Sequence, residues 1–81
     1  MIISTTRVYL KEDNTIDYKA RVSINLLDIQ LISETKFYGE DLLEIVFYSN
    51  GGILVDHNYE DLVLQMTKAR TQVLKKNTYD G

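Results

Sequence analysis

The sequence predicts an α+β fold: an antiparallel five-stranded sheet, a meander of hairpins, with a C-terminal amphipathic α-helix packed on one face. Three observations predict it. Residues 15–24 alternate apolar and mostly polar side chains with the two-residue period of a strand. Two short apolar runs, 42–48 and 53–57, flank Ser49-Asn50-Gly51-Gly52 as the arms of a hairpin. Asn58 then opens a stretch whose apolar residues recur at helical spacing.

Residues 2–10 are rich in β-branched side chains and lack a helical period, as a first strand does. In residues 15–24, Ile16, Tyr18, Ala20, Val22 and Ile24 share one face, and Asp17, Lys19, Arg21 and Ser23 the other. Glu12-Asp13-Asn14 joins the two strands as a three-residue loop, with Asn14 taking the left-handed position. The expected register sets Val8 opposite Tyr18, Leu10 opposite Ile16 and Ile2 opposite Ile24. A slip of one residue would bring Arg7 and Tyr9 among these apolar partners, which favours the first register.

After Asn25, residues 26–33 read as a third strand with Leu27, Ile29 and Leu31 inward and Asp28 and Gln30 outward; Ile32 breaks the outward pattern. The polar stretch 34–41 reads as a loop. In the second hairpin, a loop of Ser49-Asn50-Gly51 puts Gly51 at a positive φ. Leu43, Ile45 and Phe47 then share a face with Ile53 and Val55. Val46, Tyr48 and Leu54 occupy the opposite face, with Glu44 across from Asp56. A two-residue Asn50-Gly51 turn is the competing register.

Asn58 caps the helix, and Glu60 and Asp61 lie in its first turn, where the helix dipole favours acids. At 100° per residue, Leu62, Met66, Ala69 and Val73 fall within about 60°, and Tyr59, Val63 and Leu74 widen the arc to about 140°. Leu64 lies on the opposite side. Lys75 and Lys76 fall at the C-terminal end of the helix, where cations are favoured. Residues 1–76 form one domain and 77–81 a frayed tail.

Eighty-one residues sit near the size at which one core only just outweighs chain entropy, so self-association is a common source of further stability. There is no cysteine for a disulfide or thiolate zinc site and only one histidine, His57, expected at a surface or capping position. The expectation is no catalytic residues, no metal and no cofactor. No glycine-rich phosphate loop is present, and no serine lies in a nucleophile motif. Asp56, Glu60 and Asp61 near Glu44 lack the ordered run of oxygen ligands that a calcium loop uses; helix dipole and solvation account for them. With no signal-like N-terminus and no run of roughly 20 apolar residues, a soluble, cytoplasmic protein is expected.

The net charge of −3 is unevenly spread. Eight acids and one base between Asp28 and Asp61 leave −7 there, against +1 over residues 1–27 and +3 over 62–81. An acidic middle disfavours phosphate-backbone binding over the whole surface. It leaves the outward face of the first hairpin, where Arg7, Tyr9, Lys19 and Arg21 would interleave cations with a ring, as a candidate single-stranded nucleic-acid surface. The ordinary alternative is a solvated sheet face.

One helix covers one face of a sheet. Val46, Tyr48, Leu54 and Leu64, with Phe37 and Tyr38, are therefore left over as apolar surface, and the first four are the candidate oligomer or partner interface. Strand curvature or the 34–41 segment could instead cover them within one subunit. The order of strands followed by a helix resembles the single-stranded-DNA-binding coactivator and PUR-repeat folds, and that resemblance implies pairing as dimers. The segment from Ile24-Asn25-Leu26 through Met66 is similar to FlbD-type small proteins of flagellar operons, over about half the chain. No function is carried over from either. Usage of Ile, Asn, Tyr and Lys suggests an AT-rich bacterial or phage genome. The expected function is a small non-enzymatic homo-oligomeric interaction or regulatory protein, an adaptor or inhibitor with a protein partner, a dimer favoured; a single-stranded nucleic-acid binder is the alternative.

Overall fold

The structure, a computed structural model, describes residues 1–79, with side chains through residue 74. Lys75, Lys76 and the tail expected over 77–81 lie outside the described side chains. The strands are β1 (Ile2–Leu10), β2 (Ile16–Asn25), β3 (Ile29–Phe37), β4 (Glu40–Phe47) and β5 (Gly52–Val55), followed by helix α1 (Tyr59–Tyr79). They form one open antiparallel sheet with the helix on one face, as the patterning predicts. The order β2-β1-β5-β4-β3 is not the expected meander, however: β5 pairs with β1, and β2 and β3 lie at opposite edges, separated by the 3-10 turn at residues 26–28.

The core lies between that face and the helix. Ile24, Leu26, Ile29, Leu43, Ile45 and Val55 meet Leu62 and Ala69, with Met66 and Tyr59 partly buried beside them. The Asn58 side chain accepts from the Asp61 amide at 2.8 Å, fixing the start of the helix where the sequence places it. Leu64 is exposed on the outer side as expected, but Leu74, expected on the flank of the buried arc, is exposed as well.

The first turn is built as predicted. Asn14 has φ 68°, and Asp13 accepts from both the amide and the hydroxyl of Thr15, which holds its carboxyl below the usual aspartate range. Leu10 does oppose Ile16, but the register then shifts between Tyr9 and Leu10, leaving Asp17 as the extra residue of a β-bulge. Beyond it Tyr9 faces Tyr18, Val8 faces Lys19, Arg7 faces Ala20 and Ile3 faces Ile24, so the expected pairing of Val8 with Tyr18 and Ile2 with Ile24 is wrong by one. The turn fixes the register at the tip, the core fixes it at the base, and the bulge absorbs the mismatch. β1 thus uses both faces: Ile3 packs toward the helix-side core, and Val8 is buried on the other side.

A second bulge has the same effect on β3. Residues 26–28 form a 3-10 turn rather than strand, capped by the Asn25 side chain. Ile29 then pairs with Phe47 and Leu31 with Val46, leaving Gln30 unpaired. Leu31 is therefore turned out to solvent, not inward with Ile29, and Ile32 packs on the core. The predicted loop over 34–41 is mostly strand. β3 runs to Phe37, β4 starts at Glu40, and Tyr38-Gly39 is a two-residue turn with both φ values positive, 48° and 81°.

Tyr38 is a poor residue for that conformation, because its Cβ crowds the backbone at positive φ where glycine or asparagine does not. We expect Tyr38→Asn to stabilise the protein by roughly 0.5–1 kcal/mol, seen as a higher urea midpoint at unchanged m-value.

The hairpin of β4 and β5 keeps its predicted faces but shifts register by two. Glu44 faces Leu54, not Asp56, so the expected acid pair does not form. Gly51 is not at positive φ either. The connection is longer and leans on Asp28, whose carbonyl accepts from the Tyr48 amide at 2.8 Å and whose carboxylate accepts from the Ser49 amide and hydroxyl. A docked turn does not require the tight conformation that calls for glycine.

Candidate functional site

Strand alternation and the two bulges decide which candidate residues meet. On the helix-free face the register sets Leu31 beside Val46 on β3 and β4, with Tyr48 following β4 into the turn. Leu31 is 54% exposed and Tyr48 67%, while Val46 is half-buried. These three make an exposed apolar corner beside the outer edge of β3. Leu54 lies one strand further in, opposite Val8 and Glu44, and is half-buried. Leu64 is on the outer surface of the helix, across the molecule, so the four candidate interface residues do not form one patch. Leu31 was missed because a strict two-residue alternation runs it inward; only the bulge at Gln30 reverses it.

The rest of the helix-free face closes on itself. Lys19 on β2 reaches Glu40 at 2.8 Å and Asp56 at 3.1 Å, spanning the sheet from its edge strand to β4. Neighbouring strands lie about 4.8 Å apart, so such a contact requires the sheet to curl. Val8 and Leu42 share this concave side and are 3% and 1% exposed. Curvature, with the hairpin extension over 34–41, covers this half within one subunit. Hydrogen bonds from the Lys19 ammonium to the Glu40 and then the Asp56 carboxylate hold it above the usual lysine range.

The candidate nucleic-acid face is split by the bulge at Asp17. Arg7 and Tyr9 lie on the helix side of the sheet, and Lys19 and Arg21 on the helix-free side. Lys19 is also occupied by two carboxylates. On the helix side Tyr9 stacks on Tyr18, with ring centroids 4.5 Å apart and planes 11° from parallel, and the Arg7 guanidinium lies 4.5 Å from the Tyr9 centroid. Arg7 also lines a shallow groove of about 360 Å³ together with Val22, Phe47, Ile53, Ser49 and Asn50, which neither tyrosine of the stack enters. One cation and a ring pair stacked on itself do not line a track for a phosphate backbone, which needs repeated cations.

His57 has a more defined position than a surface cap. Its Nδ1 is 2.8 Å from the Thr5 hydroxyl on β1 and its Nε2 is 2.7 Å from an Asp61 carboxylate oxygen in the first turn of the helix. A hydroxyl, an imidazole and a carboxylate in line is the order of a nucleophilic triad. Thr5 is only 5% exposed, and the chain of bonds ties the helix start to the sheet. A second groove, of about 340 Å³, runs from Glu34 and Asp41 past His57 to Glu60 and is acidic. Among the described residues no three His, Cys, Asp or Glu side chains converge as metal ligands, and no helix is long and apolar enough to cross a membrane.

Compared with known protein families, curated proteins and solved structures, the chain matches none of them. The two resemblances drawn from the sequence therefore rest on strand order and pattern alone.

Proposed function

We propose that this chain is a small non-enzymatic interaction protein, an adaptor or inhibitor of bacterial or phage origin, that works in the cytoplasm as a homodimer and presents the paired surface to a protein partner. The observation that carries this reading is the exposed apolar corner of Leu31, Val46 and Tyr48 beside an uncovered edge strand. Apolar surface next to open backbone donors and acceptors favours association by strand addition and side-chain burial together. The cysteine-free chain is compatible with a reducing compartment. Sedimentation equilibrium at high micromolar concentration is expected to report a dimer; a strict monomer would remove the reading. Single-stranded nucleic-acid binding is disfavoured by the split of Arg7 and Tyr9 from Lys19 and Arg21.

A further inference from the structure

The two free edges of the sheet are not alike, and the difference points to where a second copy attaches. The edge of β2 is interrupted by the bulge at Asp17, and it carries Lys19 and Arg21. Bulges and basic side chains are how edge strands avoid pairing. Lys19 is moreover already committed to Glu40 and Asp56. The edge of β3 is closed only at its start, where the Arg70 guanidinium donates to the Ile29 carbonyl. Past the bulge at Gln30, residues 31–37 run without irregularity against β4, and among the described residues no side chain or loop bonds to their outer backbone.

We infer that the homodimer forms by antiparallel pairing of β3 with β3 of a second copy, with Thr35 on the two-fold axis. This rests on the self-association proposed above and adds to it the surface and the register. Charge selects the register. With Thr35 on the axis, Glu34 of each copy lies directly opposite Lys36 of the other, giving two cross-strand ion pairs. Placing Glu34 on the axis sets two glutamates face to face, and placing Lys36 there sets two lysines face to face. Placing Ser33 there separates the Glu34–Lys36 pairs and runs the ladder into the bulge at Gln30.

Lys36 is free to turn outward. Its contact with Asp41 is 3.5 Å long, with the two side chains 67% and 88% exposed, and exposed pairs of this kind hold weakly. The same register makes Leu31 of one copy the diagonal neighbour of Phe37 of the other on the helix-free face, which covers part of the exposed corner. Two sheets thereby join into one of ten strands, with both helices on the same side.

The chain contains no cysteine, so a single Thr35→Cys substitution introduces one thiol, and at the axis it meets its own copy. Oxidised Thr35→Cys protein is expected to run as a covalent dimer on a non-reducing gel, while Ser23→Cys on the β2 edge stays monomeric. Glu34→Lys and Lys36→Glu alone are each expected to weaken the dimer at least tenfold by sedimentation, and the double swap is expected to restore it. A dimer that persists with no crosslink in the Thr35→Cys variant and no response to either charge reversal overturns this interface and leaves self-association standing. A wild-type monomer at high micromolar concentration overturns both.

Discussion

Leu62→Ala is expected to remove about 2–5 kcal/mol of stability, seen as a large fall in the urea midpoint. Leu62 is 0% exposed and sits where the helix meets the sheet. Truncating it loses the transfer energy of the removed carbons and leaves a cavity between two layers that have no third layer to relax against. An 81-residue domain has little to spare, because typical net stabilities are about 5–15 kcal/mol and small domains lie at the low end. Leu64→Ala is the control. It removes the same atoms from the same helix, but Leu64 is 51% exposed on the outer side, so the change is expected to stay within about 0.5 kcal/mol. Urea denaturation followed by far-ultraviolet circular dichroism separates the two. Equal losses for both variants would mean that the helix does not pack on the sheet through the face assigned to it.

The second large effect is expected at His57. Replacing it with leucine takes away the partner of the Thr5 hydroxyl, which lies 5% exposed on β1 and has no other bonded group among the described residues. An orphaned buried hydroxyl costs about 1–3 kcal/mol, and loss of the 2.7 Å contact with Asp61 loosens the first helical turn besides. Thr5→Val alone is expected to cost less, because the imidazole side chain is 17% exposed and water can replace the lost hydroxyl. The double variant, with neither polar group present, is expected to recover part of the loss. A coupling energy of about 0.5–3 kcal/mol from the four unfolding curves would establish the contact. Strict additivity would show that the two side chains do not interact in solution.

The element list and the helix were legible in the sequence because each rests on local chemistry. Asn14 supplies a left-handed residue, Asn58 supplies a cap, and Leu62, Met66 and Ala69 lie on one helical face. The faces of β1 and β3 were not legible. A single bulged residue, Asp17 or Gln30, inverts every side chain beyond it, and neither residue type announces a bulge. The stretch 34–41 reads as a loop by polarity, but β3 is an edge strand whose outer positions are wet, and its turn places a tyrosine where glycine or asparagine is usual. The Thr5–His57 contact joins distant parts of the chain and has no local signature. Of the candidate interface, Val46 and Tyr48 stay together beside Leu31, whereas Leu54 lies one strand further in and Leu64 is on another surface.

The seam between β1 and β5 is narrow. Among the described residues only Arg7 with Val55 and Val8 with Leu54 pair across it, extended by the Asp56 amide donating to the Thr6 carbonyl at 2.8 Å. Every other strand pair joins neighbours in sequence. The chain is therefore assembled from two locally closing units, the β1–β2 hairpin and the β3–β4–β5 meander with its helix, and the sheet is completed only when their far-separated strands meet. Closing that long loop comes before its reward, so docking of the two units is the step expected to limit the folding rate. Until then both β1 and β5 present bare edges, and a second chain arriving first can take the place of the native neighbour. Exchange of the N-terminal hairpin between molecules is the misassembly this topology invites.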